Sequence, residues 1–309
     1  MISKNKVIFV VGPTASGKSE LALHLAKKFN GSIINIDSVQ FYEGLNIGSA
    51  APSEEEKKQA PHYLFSYVKA PVEMTAGQYI RDFYELIESG KVNSPIFVVG
   101  GTGFYIQALE KGMYDLPEVS EEIKNEILAD YEIFGSEKMY AELKNFDAET
   151  ELHPNDHYRV GRALEVKRAF NLKISEFKNT GADNKNKLPY PSMKIGLTYQ
   201  TDDKEKFMNR VHQRTLKMLD QGIIEETKSF LTQGYESWAP LSSVGYLETK
   251  SYLQEQISRE ELPAAITQAT MKLVKKQKTW FKRDEAILWS DVFTPQYEVI
   301  ERTVQDFID

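Results

Sequence analysis

Eight residues near the start of the chain carry the clearest chemistry. Gly12, Pro13, Thr14, Ala15, Ser16, Gly17, Lys18 and Ser19 fill the GxxxxGK[ST] pattern in full. They follow the apolar run Val7–Val11 and open a helical pattern, the context in which the pattern has a physical meaning. Glycines let the loop turn so that backbone N–H groups converge on phosphate oxygens, and the positive end of the following helix adds to the attraction. Lys18 brings a mobile positive charge to the outer phosphate, and the Ser19 hydroxyl suits Mg²⁺. The pattern specifies a phosphorylated ligand; by itself it names neither ATP nor a reaction.

Two further segments belong to the same crevice. Asp37, Ser38, Val39 and Gln40 directly follow a second apolar run, and ligands of open α/β sheets bind at the carboxyl ends of strands. A carboxylate there can hold Mg²⁺, take a proton from an incoming nucleophile, or cap the next turn. Gly100, Gly101, Thr102 and Gly103 follow a third run; the spacing is not that of a dinucleotide fingerprint, but backbone can approach a ligand closely there.

Two segments carry positive charge. No acidic residue falls between Leu262 and Arg283, whereas Lys272, Lys275, Lys276, Lys278, Lys282 and Arg283 do, together with Gln277 and Trp280. A cationic helix with an aromatic near its end suits phosphate contacts and base stacking, although a charge run is more often a solvated face. Arg159 and Arg162, three apart after Asn155 and Asp156, share a helix face and can clamp phosphates or pair with Glu165.

These groups need a scaffold. Short runs rich in Val, Ile and Phe predict buried parallel strands at 7–11, 32–37, 96–99 and 193–199, with a last short strand at 286–289. Helices are predicted at 17–29 and 76–89. The alternation implies an α/β fold with a doubly wound parallel sheet. Residues 117–177 are charged and helical in pattern, and 179–189 read as a polar loop. We therefore expect a core of residues 1–114 and 191–309 with an inserted helical domain at 115–190.

Composition narrows the classes. Of 309 residues, 41% are hydrophobic and 27% charged, which suits a globular core, and no apolar run approaches the about 20 residues of a membrane helix. The residues before Val7 are too few for a signal peptide. With no cysteine, thiolate metal sites and cysteine nucleophiles are excluded, and a reducing cytoplasm fits. The net charge of −7 means that any nucleic-acid binding needs a local basic face.

Taken together and in order, these segments resemble the bacterial tRNA dimethylallyltransferases, also called tRNA isopentenyltransferases. The likeness covers nearly the whole chain: 12–19, 37–42, 47–50, Pro61 and His62, 100–105, 155–166, Arg214, Met218, Gly222, Glu225, Glu226, Gly245, Tyr246 and 275–280. The resemblance implies a P-loop NTPase-like core that holds dimethylallyl diphosphate with Mg²⁺, and transfer to the exocyclic amine of the adenosine 3′ of a tRNA anticodon. It implies Asp37 as general base, Thr102, Arg214 and Lys18 as groups on the reacting base or diphosphate, and Ser19 on the metal. It implies tRNA contacts at Asp37, Ser38, Val39, Gln40, Thr102, Lys124, Tyr158, Arg159, Arg162, Gly245, Tyr246, Lys275, Lys276, Gln277, Trp280 and Lys282, with the insertion gripping the anticodon stem-loop and a monomer as the working form. Departures from the family pattern fall at Ala51, Tyr63, Ser66, Leu247 and Met271, and several remove positive charge. The competing expectations are an adenylate isopentenyltransferase acting on free nucleotide, which would lack the insertion, a P-loop small-molecule kinase, in which the cationic helix has no role, and an RNA-binding protein that has lost activity.

Overall fold

A computed structural model describes residues 5–113, 119–179 and 187–309. The chain begins with β1 (Val7–Val11), α1 (Lys18–Phe29), β2 (Ser32–Asn35), α2 (Glu54–Lys57), β3 (His62–Tyr63), α3 (Ala76–Glu88), β4 (Ile96–Gly100) and α4 (Gly103–Lys111). Three helices follow, α5 (Glu121–Phe146), α6 (His157–Phe170) and α7 (Ile174–Asn179). The chain then continues through β5 (Ser192–Thr198), α8 (Lys204–Gln221), α9 (Ile223–Thr232), α10 (Tyr246–Leu253), α11 (Leu262–Phe281), β6 (Ile287–Asp291) and α12 (Tyr297–Ile308).

The six strands form one parallel sheet in the order β3-β2-β4-β1-β5-β6. β1 is central: Val7 pairs with Ile96 on one side and Ser192 on the other. Every residue of β1, β2 and β4 is buried, which is why their sequences are continuous apolar runs rather than alternating ones. Because β2, β4 and β1 are neighbours with the same direction, the segments after them emerge along one edge of the sheet. Those segments are 36–40, 101–103 and the 12–19 loop. Topology alone thus gathers Asp37, Thr102 and Lys18 at the carboxyl ends of three adjacent strands.

The sheet's core is built from Ile8, Val10, Leu21, Leu25, Phe97, Val99, Ile195 and Leu197, joined by Phe207 and Val211 of α8 and Val274 of α11. α8 and α11 pack against each other and so carry their polar faces to fixed positions. α1 starts directly after Gly17, whose φ of 93° only glycine adopts cheaply, and stops at Asn30, left-handed at φ 51°.

The chain divides into two compact units, 1–107 with 189–309, and 108–188. The second has its own small core, in which Ile127, Met139 and Leu143 of α5 meet Val160, Ala163 and Leu164 of α6. Gly135, at φ 75° and ψ 164°, interrupts α5. Asp156 caps α6 by accepting the Arg159 N–H at 3.2 Å.

Four elements had no expectation: α2, β3 (only two residues long), α4 and α12. β2 ends at Asn35, two residues short of the 32–37 expected, which leaves Asp37 on the loop beyond it. Most of the expected 179–189 loop lies outside the described residues. Among the described residues, no helix is long and apolar enough to cross a membrane.

Candidate active site

The 12–19 loop is held by backbone geometry that its glycines make possible. A Cβ on Gly12 would lie 2.4 Å from the Leu197 carbonyl oxygen, so the loop passes β5 more closely than any side chain permits. Ser16 N–H donates to the Pro13 carbonyl at 3.2 Å, and Lys18 Nζ to the same carbonyl at 2.8 Å. Ser16 is 2% exposed, and its hydroxyl has no hydrogen-bond partner among the described residues. A buried polar group without a partner costs free energy unless something answers it, and an oxyanion in this loop would do so. Ser19 stands exposed in the first turn of α1.

Around this loop, charge is concentrated. Burial lowers the Lys18 pKa to about 8; Asp37 raises it and Arg214 lowers it further. Arg214, on α8, has its own pKa lowered by burial and raised by Asp37. Two cations and one carboxylate therefore feel one another in a poorly solvated place. One turn earlier on α8, an Arg210 guanidinium nitrogen comes within 3.2 Å of where a Gly17 Cβ would be. Arg210 was not anticipated; its only sequence signal is its spacing of four from Arg214.

Asp37 is held by its backbone. Asn35, fully buried at the end of β2, accepts the Asp37 N–H at 2.8 Å and donates to the Asp37 carbonyl at 3.2 Å and the Leu64 carbonyl at 3.0 Å. Asp37 Oδ1 accepts the Val39 N–H at 3.1 Å, an Asx turn that orients the carboxylate. Thr102 Oγ1 accepts the Ser38 N–H at 3.1 Å and lies 3.3 Å from the Ser38 hydroxyl, which ties the β4 loop to the β2 loop. Gln40 Nε2 donates to the carbonyls of Ser49 and Ala50. Asn35 escaped the sequence reading, although a polar residue closing a buried strand was the available signal.

The basic helix has two faces. Lys275, Lys276 and Lys282 are exposed. Gln277 instead turns inward: its Oε1 accepts the Thr14 N–H at 2.8 Å and its Nε2 donates to the Gly101 carbonyl at 3.0 Å. Trp280 lies against Gly103, whose Cβ would meet the indole at 2.2 Å. Lys278 donates to the Tyr199 carbonyl at 2.8 Å. On α10, Tyr246 is fully buried, and its hydroxyl donates to Glu226 at 2.6 Å. The same carboxylate accepts the N–H groups of Asn46, Ile47 and Gly48. Gly245, at φ 97°, opens α10 and donates its N–H to Glu248.

In the 108–188 unit, Tyr158 is 80% exposed at the start of α6. Arg159 pairs with Asp156 at 3.4 Å and Arg162 with Glu165 at 2.7 Å. Lys124 pairs with Glu121 at 2.5 Å.

The oxygens of Ser19 and Asp37 are of the hard type that Mg²⁺ prefers, but among the described residues no group of three His, Asp or Glu side chains forms a metal cage. A metal here fits as one shared with a phosphorylated ligand.

Comparison with known proteins identifies the family. The model of a family described as IPP transferase matches residues 40–284. A tRNA dimethylallyltransferase of Bdellovibrio bacteriovorus is 46% identical over 293 residues, 94% of either chain. Among solved structures, a tRNA isopentenylpyrophosphate transferase of Bacillus halodurans superimposes with a TM-score of 0.68 at 27% identity, over 98% of this chain and 96% of that one. A eukaryotic dimethylallyltransferase described as acting on tRNA gives 0.81 at 26% identity, over 98% of this chain and 79% of that one.

Proposed function

The chain belongs to the IPP transferase family, and on that premise we propose how its residues carry a dimethylallyl group from dimethylallyl diphosphate to the exocyclic amine of the adenosine 3′ of a tRNA anticodon. It is a prenyltransferase that modifies tRNA. What supports the residue assignment is the mutual electrostatic influence of Lys18, Arg214 and Asp37 at the 12–19 loop, together with a buried Ser16 hydroxyl that has no partner among the described residues.

In the reaction, the adenine amine lone pair forms a bond to C1 of the dimethylallyl group. The C1–O bond breaks and its electron pair leaves on the diphosphate. The loop's N–H groups, the Ser16 hydroxyl, Lys18 and Arg214 stabilise that developing charge where it appears. Ser19 would hold a Mg²⁺ there, and the ion would supply further charge neutralisation for the leaving diphosphate. An adenine amine is a weak nucleophile, and the Asp37 carboxylate takes its proton as the carbon–nitrogen bond forms. Thr102, bonded to Ser38, fixes the wall beside Asp37.

For tRNA, the exposed Lys275, Lys276 and Lys282 supply phosphate contacts, and Arg159 and Arg162 supply others beside the exposed Tyr158, a ring able to stack on a base. An anticodon loop yields its base to a pocket at less cost than a duplex does. A tRNA substrate makes the cytoplasm the proposed place of work.

Incubation with labelled dimethylallyl diphosphate and total tRNA, followed by nucleoside mass analysis, tests the reading. A dimethylallyl adenosine recovered from tRNA is expected. Label appearing only on free AMP, or phosphate transfer from ATP without prenylation, would replace the reading by a free-nucleotide transferase or a kinase.

A further inference from the structure

We propose that Gln277 is a positioning residue of the diphosphate site, a staple that fixes the phosphate loop against the 101–103 turn, rather than a contact for RNA. The inference rests on the donor-site reading above.

The two ends of one planar amide reach two different loops. Oε1 accepts from Thr14 N–H at 2.8 Å, and Nε2 donates to the Gly101 carbonyl at 3.0 Å. Thr14 follows β1 and Gly101 follows β4, its neighbour in the sheet. The spacing between the loops is therefore bridged by one planar amide, held at both ends. Gly101 makes the approach possible: a Cβ there would lie 2.4 Å from Nε2. Trp280, three residues on and so on the same helix face, covers Gly103. Gln277 and Trp280 thus seat α11 on the site, while the exposed Lys275 and Lys276 look elsewhere.

Charge stabilisation by a phosphate loop depends on N–H groups that are already in place, and a misplacement of about 1 Å can cost on the order of 10²-fold in rate. Gln277 acts on the reaction through Thr14 and Gly101. Without the amide, the Thr14 N–H loses its acceptor and the loop loses its lateral stop. An amide meant to read RNA would present its donor and acceptor outward; here each end already has a backbone partner.

The test uses Gln277→Met, which keeps length and removes both hydrogen bonds. Donor affinity is measured by calorimetry with Mg²⁺, tRNA affinity by filter binding without donor, and fold integrity by melting. We expect the donor constant to rise about 10-fold or more, with the tRNA constant within about twofold of wild type. Gly101→Ala, which must displace the amide, should give the same donor defect, and Gly101→Ala with Gln277→Ala should bind donor no worse than Gln277→Ala alone, because the two changes remove one interaction. If Gln277→Met weakens tRNA but not donor, or leaves both unchanged, the proposal is overturned. Should that variant fail to fold, Gly101→Ala decides by the same two constants. Wild type that binds no dimethylallyl diphosphate would remove the donor reading and this inference with it.

Discussion

Asn35 grips Asp37 by both of its backbone polar groups, accepting the N–H at 2.8 Å and donating to the carbonyl at 3.2 Å. The residue proposed to take a proton is thus positioned by the last residue of a fully buried strand. Preorganisation of Asp37 is built into β2, and Asp37 needs no contact of its own to the hydrophobic core.

From this relationship, Asn35→Ala should lower kcat while leaving the KM for tRNA nearly unchanged. A decrease of about 10–100-fold is expected, since misplacing a catalytic group by about 1 Å costs up to about 10². Three hydrogen bonds to part-buried backbone are also lost, so stability should fall by roughly 1–3 kcal/mol. Steady-state kinetics with a parallel denaturant titration separates the two effects. Loss of stability with unchanged kcat would reduce Asn35 to a structural residue.

Lys18 gives a pH prediction. Its pKa of about 8 lies below the ordinary lysine value of 10.5 because burial disfavours the ammonium. In the empty protein Lys18 therefore loses its proton as pH rises through about 8, whereas a bound diphosphate restores the reason to keep it. Donor affinity should fall with increasing pH from about 8 upward, and binding near pH 8.5 should take up a proton. The same depression means that the ammonium opposes folding below pH 8, and this cost is relieved between about 8 and 10.5, where the unfolded chain holds more protons. Calorimetry in buffers of different ionisation enthalpy measures the uptake. Affinity flat from pH 7 to 10 would contradict a lysine–diphosphate contact.

The RNA face predicts a salt dependence. The net charge is −7, so tRNA binding needs a local positive cluster, and Lys275, Lys276 and Lys282 are the one proposed. The logarithm of affinity should fall linearly with the logarithm of salt concentration, and the slope should shrink when Lys275→Glu and Lys276→Glu are combined. Donor binding should not change in that double variant, whose side chains are exposed. Filter binding at several salt concentrations is the measurement; an unchanged slope would remove these lysines from the interface.

Much of this was legible in the sequence, and the reasons differ by residue. The phosphate loop and the strands β1, β4 and β5 were readable because buried parallel strands are short apolar runs with little else in them. Asp37 was expected as the last residue of the second strand and lies two residues beyond it, and Asn35 was not recognised, since its role appears only when the burial of β2 makes its amide seek partners. Gln277 and Trp280 were read as part of a cationic RNA face. Charge along a segment does not reveal which side of a helix faces inward, and the Gln277–Thr14 bond joins residues 263 positions apart. Tyr246 illustrates the same limit: only the packed structure reveals that its hydroxyl helps Glu226 hold the 46–48 backbone. β3, with two residues, is too short for any period to register.

The role of Asp37 is tested most directly by Asp37→Asn in single-turnover transfer with saturating donor and tRNA. The substitution keeps the size and much of the hydrogen bonding, including an oxygen for the Val39 N–H, and removes the basicity. If Asp37 takes the amine proton, the rate should drop by about 10²–10⁴, with the binding constants of tRNA and donor both near wild type. A variant that transfers at nearly the wild-type rate and differs only in its melting temperature would contradict the role of Asp37 as the base.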